Sequence, residues 1–234
     1  MEPEVRSLLK AAARPYLRGG PYPYFFARSK LSIDPIFLAM LRADSIPDGA
    51  RVLDLGCGQS LLAALLLAAR RQHQAGKWPQ GWPAPPKPSQ LLGIEKDATS
   101  AKWARKALGA NVSIQTADLR NAELPDADVV VLFDVLHYLN DDEQVTLLDK
   151  IAHSLRGGGK MLLRVADSQA GWRFSLTRIV DHSTVLMGGR ISAQFFCRTI
   201  GDWTDLLGRF GFRTEHEPMS QGTPFANILL TARL

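Results

Sequence analysis

Arg51-Val-Leu-Asp-Leu-Gly-Cys-Gly-Gln-Ser-Leu-Leu-Ala-Ala-Leu-Leu-Leu-Ala-Ala-Arg70 sets a short apolar run, a pair of glycines and a leucine-alanine run end to end. Val52–Leu55 is too brief for a helix and stops at a glycine, so it reads as a buried strand. The leucine-alanine run strongly favours helix. Strand, glycine turn, helix is the ligand-binding opening of a doubly wound α/β domain. Gly56 and Gly58 suit that turn because a ligand must come closer to the backbone than a Cβ allows. A dinucleotide fingerprint would carry a third glycine where this chain has Leu61. Asp54, just before the turn, would repel a pyrophosphate and suit a ligand carrying positive charge.

On the N-terminal side, residues 3–13 carry Val5, Leu8, Leu9 and Ala12 at helical spacing. Residues 14–30 hold glycines and prolines that argue against regular structure, together with Tyr16, Tyr22, Tyr24, Phe25 and Phe26. Two readings stand for this stretch: a segment pinned by aromatic anchors, or a lid from which Arg28 or Lys30 reaches a carboxylate. Asp34 can cap a helix with Pro35 at its first position, and Ile36, Phe37, Met40 and Leu41 give that helix an apolar face. Residues 1–49 therefore form an N-terminal helical and aromatic segment, and 50–234 the main domain.

On the C-terminal side, residues 71–89 are an insertion rich in proline and glycine, with no acid. Trp78 and Trp82 either cover an apolar patch, the commoner role, or stack on a ligand. Leu91–Asp97 is a second strand ending in acids. Glu95 lies 37 residues beyond Gly58, where about 20 is usual. Without the fourteen residues 76–89 the gap is 23, so the insertion accounts for it. Asp97 is the cap of a helix over Ala98–Leu108. Asn111–Thr116 alternates like a strand and is closed by Ala117-Asp-Leu119. Asp128–Leu139 is a fourth strand and the loop beyond its carboxyl end, the edge that faces the ligand crevice in open α/β sheets, which places Asp134 and His137 there. Asn140 with Glu143 forms a capping box. Gly157–Val165 supplies a helix stop and a fifth strand. Residues 168–198 are an extra segment carrying Trp172, Arg173, Asp181, His182 and Arg190, ahead of a helix over Ile200–Phe210. Phe212–Pro218 and Ala226–Leu234 are two last strands; their link is too short for a crossover helix, so they form an antiparallel hairpin.

The 234 residues suffice for one domain with decoration, in the composition range of globular proteins. The two cysteines form no framework, so a reducing cytoplasm is the default, and Cys57 reads as a small filler. No secretory signal is visible, and the longest apolar run, Leu61–Ala69, is too short to span a bilayer. The net charge of +5 permits acidic partners, but the basic residues are scattered.

Asp54-Leu-Gly-Cys-Gly58 resembles motif I of the class I S-adenosylmethionine-dependent methyltransferases. The resemblance covers roughly residues 50–234. It implies a Rossmann-like, doubly wound, mostly parallel seven-stranded sheet with a C-terminal antiparallel hairpin, binding S-adenosyl-L-methionine without a metal. It also implies roles: Asp54, Gly56 and Gly58 at the cofactor, Glu95 on the ribose hydroxyls, Asp118 on the adenine amino group with Leu119 on the ring, and Asp134 at the crevice. Insertions at 168–198 would build the substrate wall. Leu136-His-Tyr138 resembles the loop of small-molecule methyltransferases rather than the Asn/Asp-Pro-Pro-Tyr loop of amino-methylating DNA enzymes. The aromatic segment leading to Lys30 and Asp34-Pro35 resembles methyltransferases of bacterial aryl-polyene pigment synthesis.

The expected activity is methyl transfer to a small, aromatic or carrier-protein-bound acceptor. His137 and His182 are the candidate bases; packing against the next helix is the alternative for His137, and an exposed helix face the alternative for Asp181-His182, a candidate acid/base pair. A nucleic-acid methyltransferase is the alternative that the basic pI supports, but no recognition module accompanies it. A non-catalytic cofactor-binding partner is the third reading, since fold alone does not make an enzyme.

Overall fold

The computed structural model describes residues 1–169 and 195–234. They fall into two compact units, Met1–Ala122 and Glu123–Leu234. The strand order is β3-β2-β1-β4-β5-β7-β6, a Rossmann-like mixed sheet of seven strands whose C-terminal pairings are antiparallel. Among the described residues no helix is long and apolar enough to cross a membrane.

In the first unit β1 (Arg51–Leu55), β2 (Gln90–Glu95) and β3 (Ser113–Thr116) pair in parallel, with Leu55 opposite Ile94 and Glu95 opposite Thr116. Parallel pairing requires crossovers, and they are supplied by α4 (Leu61–Gln74) with the insertion, and by α5 (Ala98–Leu108). Four consecutive residues of β1, Val52–Leu55, are buried, which is why the strand reads as a run and not as an alternation. α4 buries most of its circumference, packing against α1 (Pro3–Ala13) and α3 (Pro35–Arg42). Its buried Gln72 donates to Glu4 O at 2.9 Å and Lys77 O at 2.8 Å, tying α1 and the insertion to one helix. α3 starts as expected, with Asp34 Oδ1 accepting from Ile36 N–H.

The expectation of irregular backbone over 14–30 is overturned. Arg14–Gly19 is a 3-10 turn, and Pro21–Ile33 is a helix, α2. Both Pro21 and Pro23 stand in the first turn, where N–H groups have no intrahelical acceptor to lose, and Gly20 makes the entry at φ +106°. Arg28 donates to Tyr24 Oη and Lys30 pairs with Asp34 at 2.9 Å, so both side chains serve their own helix.

The insertion is irregular, as expected, yet packed. Trp78 meets Trp82 edge-on and donates to Pro83 O, while the Arg42 guanidinium lies 4.6 Å from the Trp82 ring. These contacts favour the covering role for the two tryptophans. Lys87 closes the loop, its N–H donating to Asp48 and its carbonyl accepting from Gly49.

In the second unit β4 (Ala127–Phe133) pairs in parallel with β5 (Leu155–Ala166), which pairs antiparallel with β7 (Asn227–Arg233), which pairs antiparallel with β6 (Arg213–Pro218). The final hairpin is as the short link demanded. β5 starts at Leu155, two residues before the glycines read as a helix stop, because its pairing with β4 takes over where α6 (Asp141–Ser154) ends. α6 opens on the expected Asn140/Glu143 capping box. α7 (Ile200–Arg209) opens on one formed by Thr199 and Asp202, and buries Trp203, Leu206 and Leu207.

Candidate active site

The glycine turn of the first unit is held from three sides. Gly56 and Cys57 N–H both donate to Ile94 O, at 2.8 and 3.2 Å. Gly58 N–H donates to Glu95 Oε2 at 2.8 Å, so the acid predicted from a 37-residue gap does lie at the turn. Its other oxygen accepts from Asp97 N–H at 2.6 Å. A carboxylate offers about four acceptor positions, so Glu95 can hold the turn and still accept two more donors. From the third side the buried Tyr16 hydroxyl donates to Gln59 O at 2.6 Å, with Ser60 O at 3.3 Å. Burial raises the Tyr16 phenol above its ordinary value, so it stays a donor.

Asp54 lies beneath this turn, 6% exposed, and forms no ion pair among the described residues. Burial, with Glu95 adding repulsion, pushes its carboxyl up to about 7. A cation beside such a carboxylate would favour its charged form. The buried Gln59 Oε1 and Ser60 Oγ have no hydrogen-bond partner among the described residues, and Ser60 takes a left-handed conformation at φ +57°. The turn thus holds buried hydrogen-bonding capacity that its described neighbours leave unmet. Cys57 is the filler expected of it: a Cβ on Gly93 would stand 2.7 Å from its sulfur, and burial raises its thiol.

Asp118 is differently placed. Its Oδ1 accepts from Arg120 N and Nε, and its Oδ2 meets Arg120 Nη2 and Lys96 Nζ, each at 2.6 Å. The Arg120 contact, followed by Lys96, holds the carboxyl well below the usual range. Its acceptor capacity is filled, so an adenine contact requires one of these donors to be given up. Leu119 beside it is buried.

In the second unit the carboxyl end of β4 carries Asp134 at φ +58°, with a carboxylate that pairs with Arg164 of β5, Nε to Oδ1 at 2.9 Å. The Arg164 side chain is 2% exposed, and its guanidinium also lies 5.7 Å from the Phe133 ring. Three residues on, His137 lies in a 3-10 turn, Leu136–Tyr138, its ring centroid 4.1 Å from that of Tyr138 and 5.4 Å from that of Phe195. Burial lowers its pKa, against the opposing pull of Asp134, so the imidazole is neutral at pH 7. The fully buried Gln144 organises this turn. Its Nε2 lies 3.0 Å from the carbonyls of Leu136, Leu139 and Phe196, and its Oε1 accepts from Arg198. Phe196 N–H donates to His137 O at 2.9 Å. Trp172, Arg173, Asp181, His182 and Arg190 lie outside the described residues.

Residues 93–213, a little over half of the chain, match the family model of the O-methyltransferase domain. The chain belongs to that family. The chain is 30% identical over 131 residues to carboxy-S-adenosyl-L-methionine synthase of Haemophilus ducreyi, a match covering 54% of this chain and 48% of that protein. It thus spans about half the length of the curated relatives it matches. Among solved structures it resembles magnesium protoporphyrin IX methyltransferase from Synechocystis PCC 6803, with a TM-score of 0.59 and 19% identity over 98% of this chain and 97% of that one. It also resembles the pyocyanin biosynthetic protein PhzM, with a TM-score of 0.61 and 19% identity over 93% and 60%. At such identities these likenesses concern the fold.

The roles of three residues went unread in the sequence. Tyr16 was one aromatic among five. Arg164 carried a signal, a cation within the apolar run Met161–Val165. Gln144 sits beside a capping residue and gave none.

Proposed function

We propose that the methyltransferase transfers a methyl group from S-adenosyl-L-methionine to a small, electron-rich aromatic acceptor, free or carrier-protein-bound. The observation that carries the cofactor is the buried Asp54, without an ion pair among the described residues, beneath a glycine turn that Glu95 also holds. The donor set fits: Asp54 would face the ammonium group, Glu95 would accept from two ribose hydroxyls, and Gly56 and Gly58 would allow close approach. Leu119 would pack on the adenine, with Asp118 and Asp134 as further candidate contacts. Bound cofactor supplies a methyl group already activated on a sulfonium. The chain's remaining tasks are to align the acceptor and to exclude water.

A phenol acceptor also needs its proton removed, a contribution of about 10²–10⁴-fold. His137, kept neutral by burial, has the protonation state of a base; His182 remains the other candidate. The family match supports the O-methyl reading over nucleic acid, and the resemblance to a protein of pyocyanin biosynthesis agrees with a small aromatic acceptor. The test has two stages. Calorimetry with S-adenosylmethionine should give binding that Asp54→Asn and Glu95→Gln each weaken, with no detectable NAD binding. A screen of phenols, aryl acids and their carrier-protein esters with labelled cofactor should then give product. Tight NAD binding would sink the cofactor assignment; cofactor binding with label passing only to RNA or DNA would sink the acceptor.

A further inference from the structure

Outside the glycine turn, the first unit carries a groove of about 800 Å³ between α1 with its following 3-10 turn, α4 and the end of α5. Lys10, Arg14, Arg18 and Arg71 line it, and no acid does. All four are exposed, and none forms an ion pair among the described residues; Arg18 alone is engaged, donating to Ala107 O at 3.5 Å. Four like charges brought together without counter-ions repel one another, an arrangement that a negative partner relieves. Between them the lining is aliphatic, including Leu67, Ala68 and Leu108.

We propose that this groove docks an acidic amphipathic helix of a partner protein. The dimensions favour a helix over a single anion. Lys10 and Arg14 stand one α-turn apart, about 6 Å. Arg18, beyond in the 3-10 turn, and Arg71, on α4, line the same groove from other elements. Cations spread over three elements can meet several carboxylates of a facing helix, whereas a lone phosphate meets only one or two of them. The aliphatic floor suits the apolar stripe of such a helix. It offers no aromatic platform for stacking bases, which single-stranded nucleic acid would use. The inference does not depend on the identity of the acceptor.

The test uses a fluorescein-labelled peptide of about 18 residues, long enough to populate helix, with Glu at every fourth position beside a leucine stripe. A scrambled peptide of equal composition and a single-stranded oligonucleotide serve as controls. Anisotropy with the full chain should show the amphipathic peptide binding at least about tenfold more tightly than the scrambled one, and weakening as salt rises. The variant Lys10→Gln/Arg14→Gln/Arg71→Gln should lose that binding while keeping its melting temperature and its affinity for S-adenosylmethionine. Equal binding of the scrambled peptide, an oligonucleotide that binds as tightly, undiminished binding by the triple variant, or no binding near 1 mM peptide would each overturn the proposal.

Discussion

If Asp54 holds the cofactor as proposed, it would couple cofactor affinity to pH. Its carboxyl titrates at about 7 and would be ionised when paired with an ammonium group, so binding expels a proton from any molecule in which it is protonated. Affinity for S-adenosylmethionine should therefore rise by up to about tenfold per pH unit towards 7 and level off above it, falling again as an α-amino group loses its proton near 8. Asp54→Asn should bind more weakly and lose the acidic limb; an unchanged profile by calorimetry would remove Asp54 from the site. Glu95→Gln replaces a charged acceptor by an amide that can accept at one atom only, and should raise the dissociation constant about tenfold or more. Tyr16→Phe leaves the buried Gln59 carbonyl without its donor, a loss of about 1–3 kcal/mol. It should lower the melting temperature and weaken cofactor binding together. A variant that loses stability alone would show that the turn keeps its shape without the hydroxyl.

At the scale of elements, the insertion separates in sequence Gly58 and Glu95, which meet at the glycine turn. Lys77 and Lys87 are its anchoring ends, bonded to Gln72 and to Asp48 and Gly49. Replacing residues 78–86 by a short glycine-serine loop keeps both ends, and loop closure depends weakly on length. The shortened protein should keep its cofactor affinity within about threefold, yet unfold at lower temperature, because the Trp78/Trp82/Arg42 cluster goes with the loop. The 3-10 turn bearing His137 is the other element with a testable role. If His137 is the base, turnover should fall as pH drops through a value below the ordinary 6.5, since burial lowers its pKa. His137→Asn should then abolish that limb while cofactor affinity holds; full activity in the variant would leave alignment, or another residue, to carry the reaction.

For the molecule as a whole, the same Asp54 bears on stability against pH. Its folded pKa, about 7, lies above the ordinary 3.8, so between these values the unfolded chain has shed a proton that the folded chain retains. The stability that Asp54 contributes falls as pH rises across that window and stays level above it. Asp118, held low by Arg120 and Lys96, acts in the opposite sense: its contribution is present above the ordinary carboxylate value and is lost as pH falls. Urea unfolding of Asp54→Asn beside wild type should show a difference that grows in the variant's favour from about pH 4 to 7 and is constant beyond. A pH-independent difference would mean that Asp54 is not buried as an acid. The residue that weakens the fold at neutral pH is thus the one that the cofactor would stabilise.

Sequence alone determined what depends on neighbours along the chain. The strand-turn-helix at Arg51–Arg70, the capping box at Asn140, the caps at Asp34 and Asp97, and the final hairpin were legible because local hydrogen bonding and chain length dictate them. Glu95 was legible once the insertion was subtracted. Tertiary structure decided what depends on partners far apart in sequence. It placed Tyr16 against a turn 43 residues away and turned a proline-rich stretch into helix α2. It filled Asp118 with two cations, buried Arg164 against Asp134 and gathered Lys10, Arg14, Arg18 and Arg71 into one groove. The physical reason is that a side chain's charge, exposure and free hydrogen-bonding capacity are set by whatever packs beside it, and the packing partners come from distant elements whose contacts no local pattern encodes.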